Sequence, residues 1–195
     1  HTETAPWRQP RWAVAGVESA DACRASTSPG LGGTSAQGMS YIEASQKDTT
    51  MPQNAKAAIA QSAEAEFELK DVEIDDPGPH EVRIRIVATG LSHTDLAVRD
   101  GMLPTNFPVV LGHEGAGVVE ATGEHVRDIS TGDKVVLSYG SCGHCRPCME
   151  GDPAYCAEFT DLNFLNKRLG SEEKVFKGDV NAAFFQQSSF ATSAI

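Results

Sequence analysis

The amino-acid sequence predicts a mostly β domain, in which short antiparallel strands form a barrel-like arrangement and the helices are short and few. Three observations favour this fold class. Apolar and polar residues alternate over short segments, turns rich in glycine and proline separate these segments at nearly regular intervals, and no long segment has the periodicity of an amphipathic helix. We expect this domain to occupy residues 51–195.

The predicted strands are 56–61, 66–74, 81–89, 109–121 and 134–138. The third gives the clearest signal, because apolar residues occupy every second position, as in a strand with one buried face. These residues are Val82, Ile84, Ile86 and Ala88, and the intervening residues are Arg83, Arg85 and Val87. One helical turn is predicted near residues 94–99, with Ser92 or Thr94 as its N-cap.

The first 50 residues differ in composition from the rest of the chain. Small residues dominate this stretch and apolar periodicity does not persist, which is typical of a segment that cannot bury enough apolar surface to fold. Met51 stands directly before the first patterned segment. We therefore expect residues 1–50 to be a disordered or non-native extension, with Met51 as the native start of the domain.

Composition and charge exclude several classes of function. The net charge of −11 opposes nucleic-acid binding, since phosphate groups need clustered Lys and Arg. The longest apolar runs contain a few residues, far fewer than the roughly 20 that a membrane span requires. We expect a small-molecule substrate and no membrane or nucleic-acid partner. The crowding of the cysteines without a secretory signal indicates metal binding in a reducing cytoplasm.

The strongest chemical signal is a cluster of four cysteines at spacings of three, three and eight residues. Its members are Cys142, Cys145, Cys148 and Cys156. Four thiolates so close in the chain can surround one tetrahedral zinc ion, and a site in which protein fills every position is structural and not catalytic. Two alternatives remain: free or redox-active thiols, and replacement of one sulfur by His144. Cys23 lies in the predicted extension and is interpreted as an unrelated thiol.

A second motif, GHEGAG, lies upstream of the cysteines at residues 112–117. Two more accompany it, GLSHTD at residues 90–95 and GDKV at residues 132–135. Together with the cysteine spacing, these motifs give residues 51–195 a resemblance to the medium-chain zinc-dependent alcohol dehydrogenase family.

The resemblance implies a GroES-like, partly open β-barrel that holds a catalytic zinc ion and is followed by a Rossmann domain for NAD or NADP. No Gly-x-Gly-x-x-Gly motif follows a predicted strand, so we expect a C-terminally truncated chain that lacks the Rossmann domain and is inactive by itself. Segments 162–168 and 184–192 are most similar to aryl- or benzyl-alcohol dehydrogenases. This similarity implies oxidation of primary aryl or allylic alcohols to aldehydes, by a homo-oligomer at full length.

Residue roles carry over from the family position by position. His113 corresponds to a catalytic-zinc ligand and Glu114 to the acidic residue beside the metal. Thr94 corresponds to the hydroxyl that relays the alcohol proton, and Asp95 to the carboxylate that orients the ligand imidazole. His93 corresponds to a residue that contacts the cofactor phosphate.

The sequence departs from the family at one catalytic-zinc position, where Ser92 replaces a cysteine. A serine hydroxyl stays protonated at neutral pH and binds zinc poorly, so we expect a weakened catalytic zinc site at Ser92 and His113. Ala97 stands where some relatives carry a relay histidine, and the family's third ligand would come after residue 195. Two other functions remain open: a non-catalytic zinc-binding module or pseudoenzyme, and a formaldehyde or polyol dehydrogenase.

Overall fold

The computed structural model describes residues 53–195, whose seven strands form two sheets with antiparallel pairing. The strands are β1 (Gln53–Ala60), β2 (Phe67–Ile74), β3 (Val82–Thr89), β4 (Val109–Val110), β5 (Gly115–Thr122), β6 (Lys134–Val136) and β7 (Ser193–Ala194). The helices are α1 (His93–Arg99), α2 (Arg146–Met149) and α3 (Phe159–Asn163), with 3-10 turns at Pro153–Tyr155 and Phe184–Gln186. The predicted mostly β fold class is confirmed. The extension predicted at residues 1–50 lies outside the described residues.

The first sheet has the strand order β2-β1-β4. β1 pairs with β2 over all eight of its residues, and its C-terminal end also pairs with β4. Ala55, Ala57 and Ile59 share the buried face of β1, where they belong to one apolar cluster with Phe176. Because side chains alternate between the faces of a strand, this pattern leaves Lys56 on the exposed face.

The second sheet has the strand order β6-β5-β3-β7. Ile84 of β3, Val119 of β5 and Val135 of β6 form its buried cluster. β7 pairs with β3, with Ala194 opposite Ile84, and so adds the C-terminal residues to the edge of this sheet. The order of the strands along this sheet therefore depends on contacts between residues far apart in the chain.

The alternation predicted for β3 is only partly correct. Ile84 is buried as expected, but Arg83 is also buried and Ala88 is exposed. The register with β5 shifts between Arg83 and Ile84 and again between Ile86 and Ala88. The first shift leaves Glu120 of β5 without a paired residue in β3, and the second leaves Val87 of β3 without one in β5, so only the second changes the face on which the following residues of β3 lie. The buried Arg83 pairs with Asp76, its Nη1 lying 3.2 Å from Oδ1.

The prediction of one continuous strand over residues 109–121 is wrong. Two strands from different sheets, β4 and β5, occupy this range and are separated by the turn 111–114. Gly112 has a φ of 92°, a left-handed conformation that glycine adopts at low cost. Its N–H donates to Asp95 Oδ1 at 3.0 Å instead of joining a sheet ladder. The chain therefore passes from the first sheet to the second through this turn, in which His113 lies.

A buried apolar cluster joins α1 to the first sheet and to the C-terminal part of the chain. Its members are Ala60, Val98, Val109, Leu111 and Phe184. α1 contains the helical turn predicted near residues 94–99 and begins one residue earlier; of the two predicted N-caps, Ser92 is the one observed. Within residues 53–195, no helix combines the length and the apolar character needed to cross a bilayer.

Candidate functional site

The cysteine lobe, defined here as residues 142–158, is built from tight turns around short helices. Cys145 is the N-cap of α2, and Pro147 lies in the first turn of this helix. Gly143 and Gly151 have φ values of 75° and 93°, left-handed conformations that reverse the chain on either side of α2. These turns bring the beginning and the end of the lobe together.

The four cysteine sulfurs converge on one point. All four Sγ atoms lie within 4.8 Å of one another. Cys145 Sγ lies 3.4 Å from Cys148 Sγ and 4.0 Å from Cys156 Sγ. Four sulfurs placed tetrahedrally at about 2.3 Å from one zinc ion would be roughly 3.8 Å apart. The predicted clustering of the four cysteines is confirmed, at separations that suit one ion.

Backbone N–H groups are directed at these sulfurs. Cys142 N and Glu158 N lie 3.3 and 3.4 Å from Cys156 Sγ, to which they donate. Cys145 N donates to Cys142 Sγ, and Ala157 N donates to Cys145 Sγ, both at 3.4 Å. Such donors favour the thiolate over the thiol, and the thiolate is the form that binds metal.

The thiols of the lobe differ in pKa. Hydrogen bonds from the backbone of Ala157 and Cys148 lower the pKa of Cys145 to about 6. Loss of hydration, followed by the hydrogen bond with Cys145, raises the pKa of Cys148 to about 12. Adjacent thiolates repel one another, so a divalent cation at their centre would offset the repulsion. The donor set therefore fits a zinc ion with sulfur at every position.

His144 lies at the rim of the lobe. Its Nδ1 is 2.9 Å from Cys142 O, its Nε2 is 3.4 Å from Glu158 Oε1, and its side chain is 76% exposed. Cys142, His144 and Glu158 also form a group whose ligand atoms lie within 4.8 Å, but this group would share Cys142 with the four sulfurs. Four sulfurs already converge, so the geometry gives no need for His144 to replace one. Cys23 lies outside the described residues.

A second candidate site, the histidine site, lies where α1 meets the turn 111–114. Asp95 is fully buried, and its Oδ1 lies 3.0 Å from His113 Nδ1. This carboxylate favours a proton on Nδ1, which leaves Nε2 as an acceptor or metal ligand. The His113 side chain is 15% exposed and stacks on Phe185, with 4.7 Å between ring centroids.

Ser92 serves as the cap of α1 beside this histidine. Its Oγ accepts a hydrogen bond from Thr94 N at 3.2 Å, and its N–H donates to Asp95 Oδ2 at 3.0 Å. This reciprocal arrangement is a capping box. The Asp95 carboxylate thus holds the start of α1 with one oxygen and faces His113 with the other.

The other residues predicted for the site lie on the same two segments. Thr94 is half-buried and His93 is exposed, both in the first turn of α1. Glu114 is exposed, and its carbonyl accepts from Gly90 N at 3.1 Å. A side chain at Gly90 would collide with the Glu114 carboxylate. Within the described residues, His113 belongs to no group of three His, Cys, Asp or Glu side chains with converging ligand atoms.

Gln187, which the sequence analysis missed, fixes the backbone around His113. Its side chain is buried; Oε1 accepts from Gly115 N at 3.0 Å, and Nε2 donates to His113 O at 2.9 Å. Nε2 also lies 3.3 Å from Ser138 O, beyond the end of β6. No local signal marks Gln187, because its partners Gly115 and His113 lie 72 and 74 residues away.

Comparison with known proteins identifies relatives of this chain. The family model of the alcohol dehydrogenase GroES-like domain matches residues 78–186. Geraniol dehydrogenase of Castellaniella defragrans is 44% identical over 145 residues, which are 73% of this chain and 39% of that protein. The chain thus spans about two fifths of the length of this curated relative.

Two solved structures are also similar. A zinc-binding domain protein of the alcohol dehydrogenase type from Burkholderia ambifaria has a TM-score of 0.70 and 45% identity, covering 74% of this chain and 40% of that one. Benzyl alcohol dehydrogenase from Acinetobacter calcoaceticus has a TM-score of 0.69 and 46% identity, covering 73% and 38%. The matched part therefore combines similarity of sequence with similarity of fold.

Proposed function

Because the chain belongs to the zinc-type alcohol dehydrogenases with a GroES-like domain, we propose that it forms the zinc-binding part of an NAD(P)-dependent alcohol dehydrogenase. The observation that carries this proposal is the contact between the buried Asp95 and His113. It leaves one imidazole nitrogen available for a metal ion near the surface. In this proposal the cysteine lobe holds a separate, structural zinc ion.

We propose primary aryl or allylic alcohols as the substrate class. Two similar proteins are a geraniol dehydrogenase and a benzyl alcohol dehydrogenase. In this chain, Phe185 stacks on His113 and makes edge contacts with Phe159 and Phe164. Aromatic rings beside the histidine would favour a flat apolar group over a strongly hydrated one.

Each residue at the histidine site has a proposed role. When bound, zinc supplies polarisation of the alcohol oxygen and the nicotinamide accepts the hydride. His113 Nε2 would hold the metal while Asp95 keeps the proton on Nδ1. The Thr94 hydroxyl would accept the alcohol proton while it passes its own proton on to solvent or cofactor, and Glu114 would lie beside the metal. The exposed His93 would contact the cofactor phosphate.

Ser92 supports a second candidate function, a zinc-binding module without catalysis. Its hydroxyl caps α1, and a neutral hydroxyl neither matches the softness of zinc nor offsets its charge. On this alternative, only the cysteine lobe would bind zinc tightly. The two functions differ in whether metal at His113 supports turnover.

The test is a fusion of this chain to the segment of a related dehydrogenase that carries the dinucleotide-binding domain and the cysteine that serves the family as third catalytic-zinc ligand. We expect slow NAD(P)-dependent oxidation of benzyl alcohol and geraniol by the fusion, and loss of this rate in His113→Ala. Zinc content should fall in that variant while the lobe keeps its ion. A rate that is the same with and without His113 would support the non-catalytic module instead.

A further inference from the structure

Two exposed histidines lie side by side at one end of the second sheet. His125 Nδ1 is 3.3 Å from His80 Nε2, and the ring centroids are 4.8 Å apart with the planes inclined by 46°. Neither residue belongs to the cysteine lobe or to the histidine site. Two exposed polar side chains need no partner other than water, so their close approach calls for a structural reason.

The pairing of β3 with β5 brings these two residues together. Val82, at the start of β3, lies opposite Thr122, at the end of β5. The hydrogen bonds continue past the strand ends, because Gly123 N donates to Glu81 O and His125 N donates to Pro79 O, both at 2.8 Å. His80 therefore lies on a backbone that is bonded to the His125 segment on either side.

Contacts around the histidines hold both segments in place. A side chain at Gly123 would collide with the carbonyl oxygens of Gly78 and Pro79, so the close approach requires glycine. The Glu81 carboxylate accepts from Gly78 N at 2.6 Å and from Arg168 Nε at 2.7 Å. The Arg168 side chain is only 5% exposed. The His80 segment is thus anchored to the interior through Glu81.

The local charges favour a cation at this pair. Glu124 directly precedes His125 in the chain, and its Oε1 lies 3.7 Å from His125 Nε2. The chain as a whole carries a net charge of −11. An acidic surface raises the local concentration of divalent cations, and imidazole nitrogens are preferred ligands of zinc, nickel and copper.

We propose that His80 and His125 form a two-histidine site for a divalent transition-metal ion, separate from the cysteine lobe. Two nitrogens bound at about 2.0–2.1 Å to one tetrahedral ion would be roughly 3.3–3.4 Å apart, and the observed separation is 3.3 Å. Metal binding requires a lone pair on both of these nitrogens, so a proton on either of them moves to the other nitrogen of its ring or to solvent. Water completes the coordination of the ion, while the Glu124 carboxylate lies beside the other nitrogen of His125, Nε2, and contributes negative charge near the ion.

The experiment is a calorimetric titration of the full chain, purified with zinc in the cysteine lobe, with nickel(II) alone. We compare the unmodified chain with His80→Ala, His125→Ala and a matched control, His93→Ala, which removes an exposed histidine from α1. All four proteins keep His1 and His113, so any nickel bound at either residue cancels in the comparison. Nickel avoids confusion with the zinc of the lobe.

We expect one binding event that is shared by the unmodified chain and His93→Ala and is weakened at least roughly tenfold in His80→Ala and in His125→Ala, as for loss of a group that tunes a metal site. Because both side chains are exposed and the backbone bonds remain, the variants should unfold at the same temperature as the parent. If nickel binds all four proteins equally, or if His93→Ala loses binding as much as the other two, the site does not exist. His80→Gln, which keeps a polar side chain of similar size, must also lose the event.

Discussion

The cysteine lobe and the histidine site differ in how far apart their parts lie in the chain. The lobe draws all four sulfurs from residues 142–156. The histidine site combines α1 with a turn 18 residues later and with Gln187, a further 74 residues away from His113. A local metal site depends on its own turns, whereas a site assembled from distant segments depends on the whole fold. The two should therefore respond differently to single substitutions.

The largest effect that separates the two regions is expected for Cys148→Ser. Metal analysis of the unmodified chain should give about one tightly bound zinc per molecule, as four thiolates require. Cys148→Ser leaves three thiolates, so the zinc content should fall well below that value. Structural zinc contributes about 10 kcal/mol or more to the folding of small zinc-binding peptides. The lobe should therefore exchange its amide hydrogens much faster in the variant.

The matched control for the lobe is Cys23→Ser, which removes the cysteine outside the cluster. We expect it to leave zinc content and amide exchange unchanged. A zinc content near zero in the reduced, unmodified chain would contradict the assignment of the lobe as a zinc site. Equal loss in both variants would show that the total number of thiols matters more than their convergence.

Asp95→Ala should have the next largest effect, and it acts on the histidine site. Asp95 is fully buried and accepts from Gly112 N and Ser92 N, each at 3.0 Å. Without the carboxylate, two backbone donors lose their partner, and each costs about 1–3 kcal/mol. We expect the free energy of unfolding in urea to fall by about 3 kcal/mol, with the zinc of the lobe retained.

Asp95→Asn separates the structural part of this effect from the electrostatic part. The amide keeps one oxygen as an acceptor, so we expect a smaller loss of stability than in Asp95→Ala. A loss of lobe zinc in either variant would contradict the independence of the two sites, because it would show that the lobe depends on the histidine site.

Much of the fold and the lobe could be predicted because their signals are local. β2, β3, the cap of α1 at Ser92 and the cysteine spacing all depend on residues close together in the chain. The interruption of the predicted strand 109–121 could not be predicted, because it involves a hydrogen bond from Gly112 N to Asp95, which lies 17 residues away in the chain. The burial of Arg83 accompanies its contact with Asp76, which lies outside β3 and is not marked by the alternation within that strand.

The third prediction concerns metal affinity at the histidine site, through Ser92→Cys in the fusion with a dinucleotide-binding part. A thiolate adds charge and softness that the hydroxyl lacks. We expect zinc binding at His113 and the rate of benzyl alcohol oxidation to rise by roughly 10–100-fold, the range seen when groups that tune a metal site are lost. Ser92→Ala is the control, because it also removes the hydroxyl but adds no ligand. Equal zinc content and rates in the parent and Ser92→Cys would mean that serine is an adequate ligand.

The smallest expected effect belongs to Ser92→Ala in the unfused chain. If Ser92 acts as a cap and not as a zinc ligand, its loss should lower the free energy of unfolding by about 1 kcal/mol, and Ser92→Gly should lower it by only a few tenths. Zinc content should stay the same in both. Urea unfolding and metal analysis of the same samples provide the measurement.

The contribution of Ser92 as a cap also helps to interpret the result for Ser92→Cys. A cysteine accepts hydrogen bonds more weakly than serine, so it should lose part of the bond from Thr94 N that Ser92 Oγ accepts at 3.2 Å. Ser92→Cys should therefore lower the stability of the metal-free histidine site while raising its affinity for zinc. A fall in stability together with a rise in zinc affinity would show that Ser92 stabilises α1 but is a poorer zinc ligand than cysteine. Changes of the same sign would mean that the hydroxyl contributes to the metal site as well as to the cap.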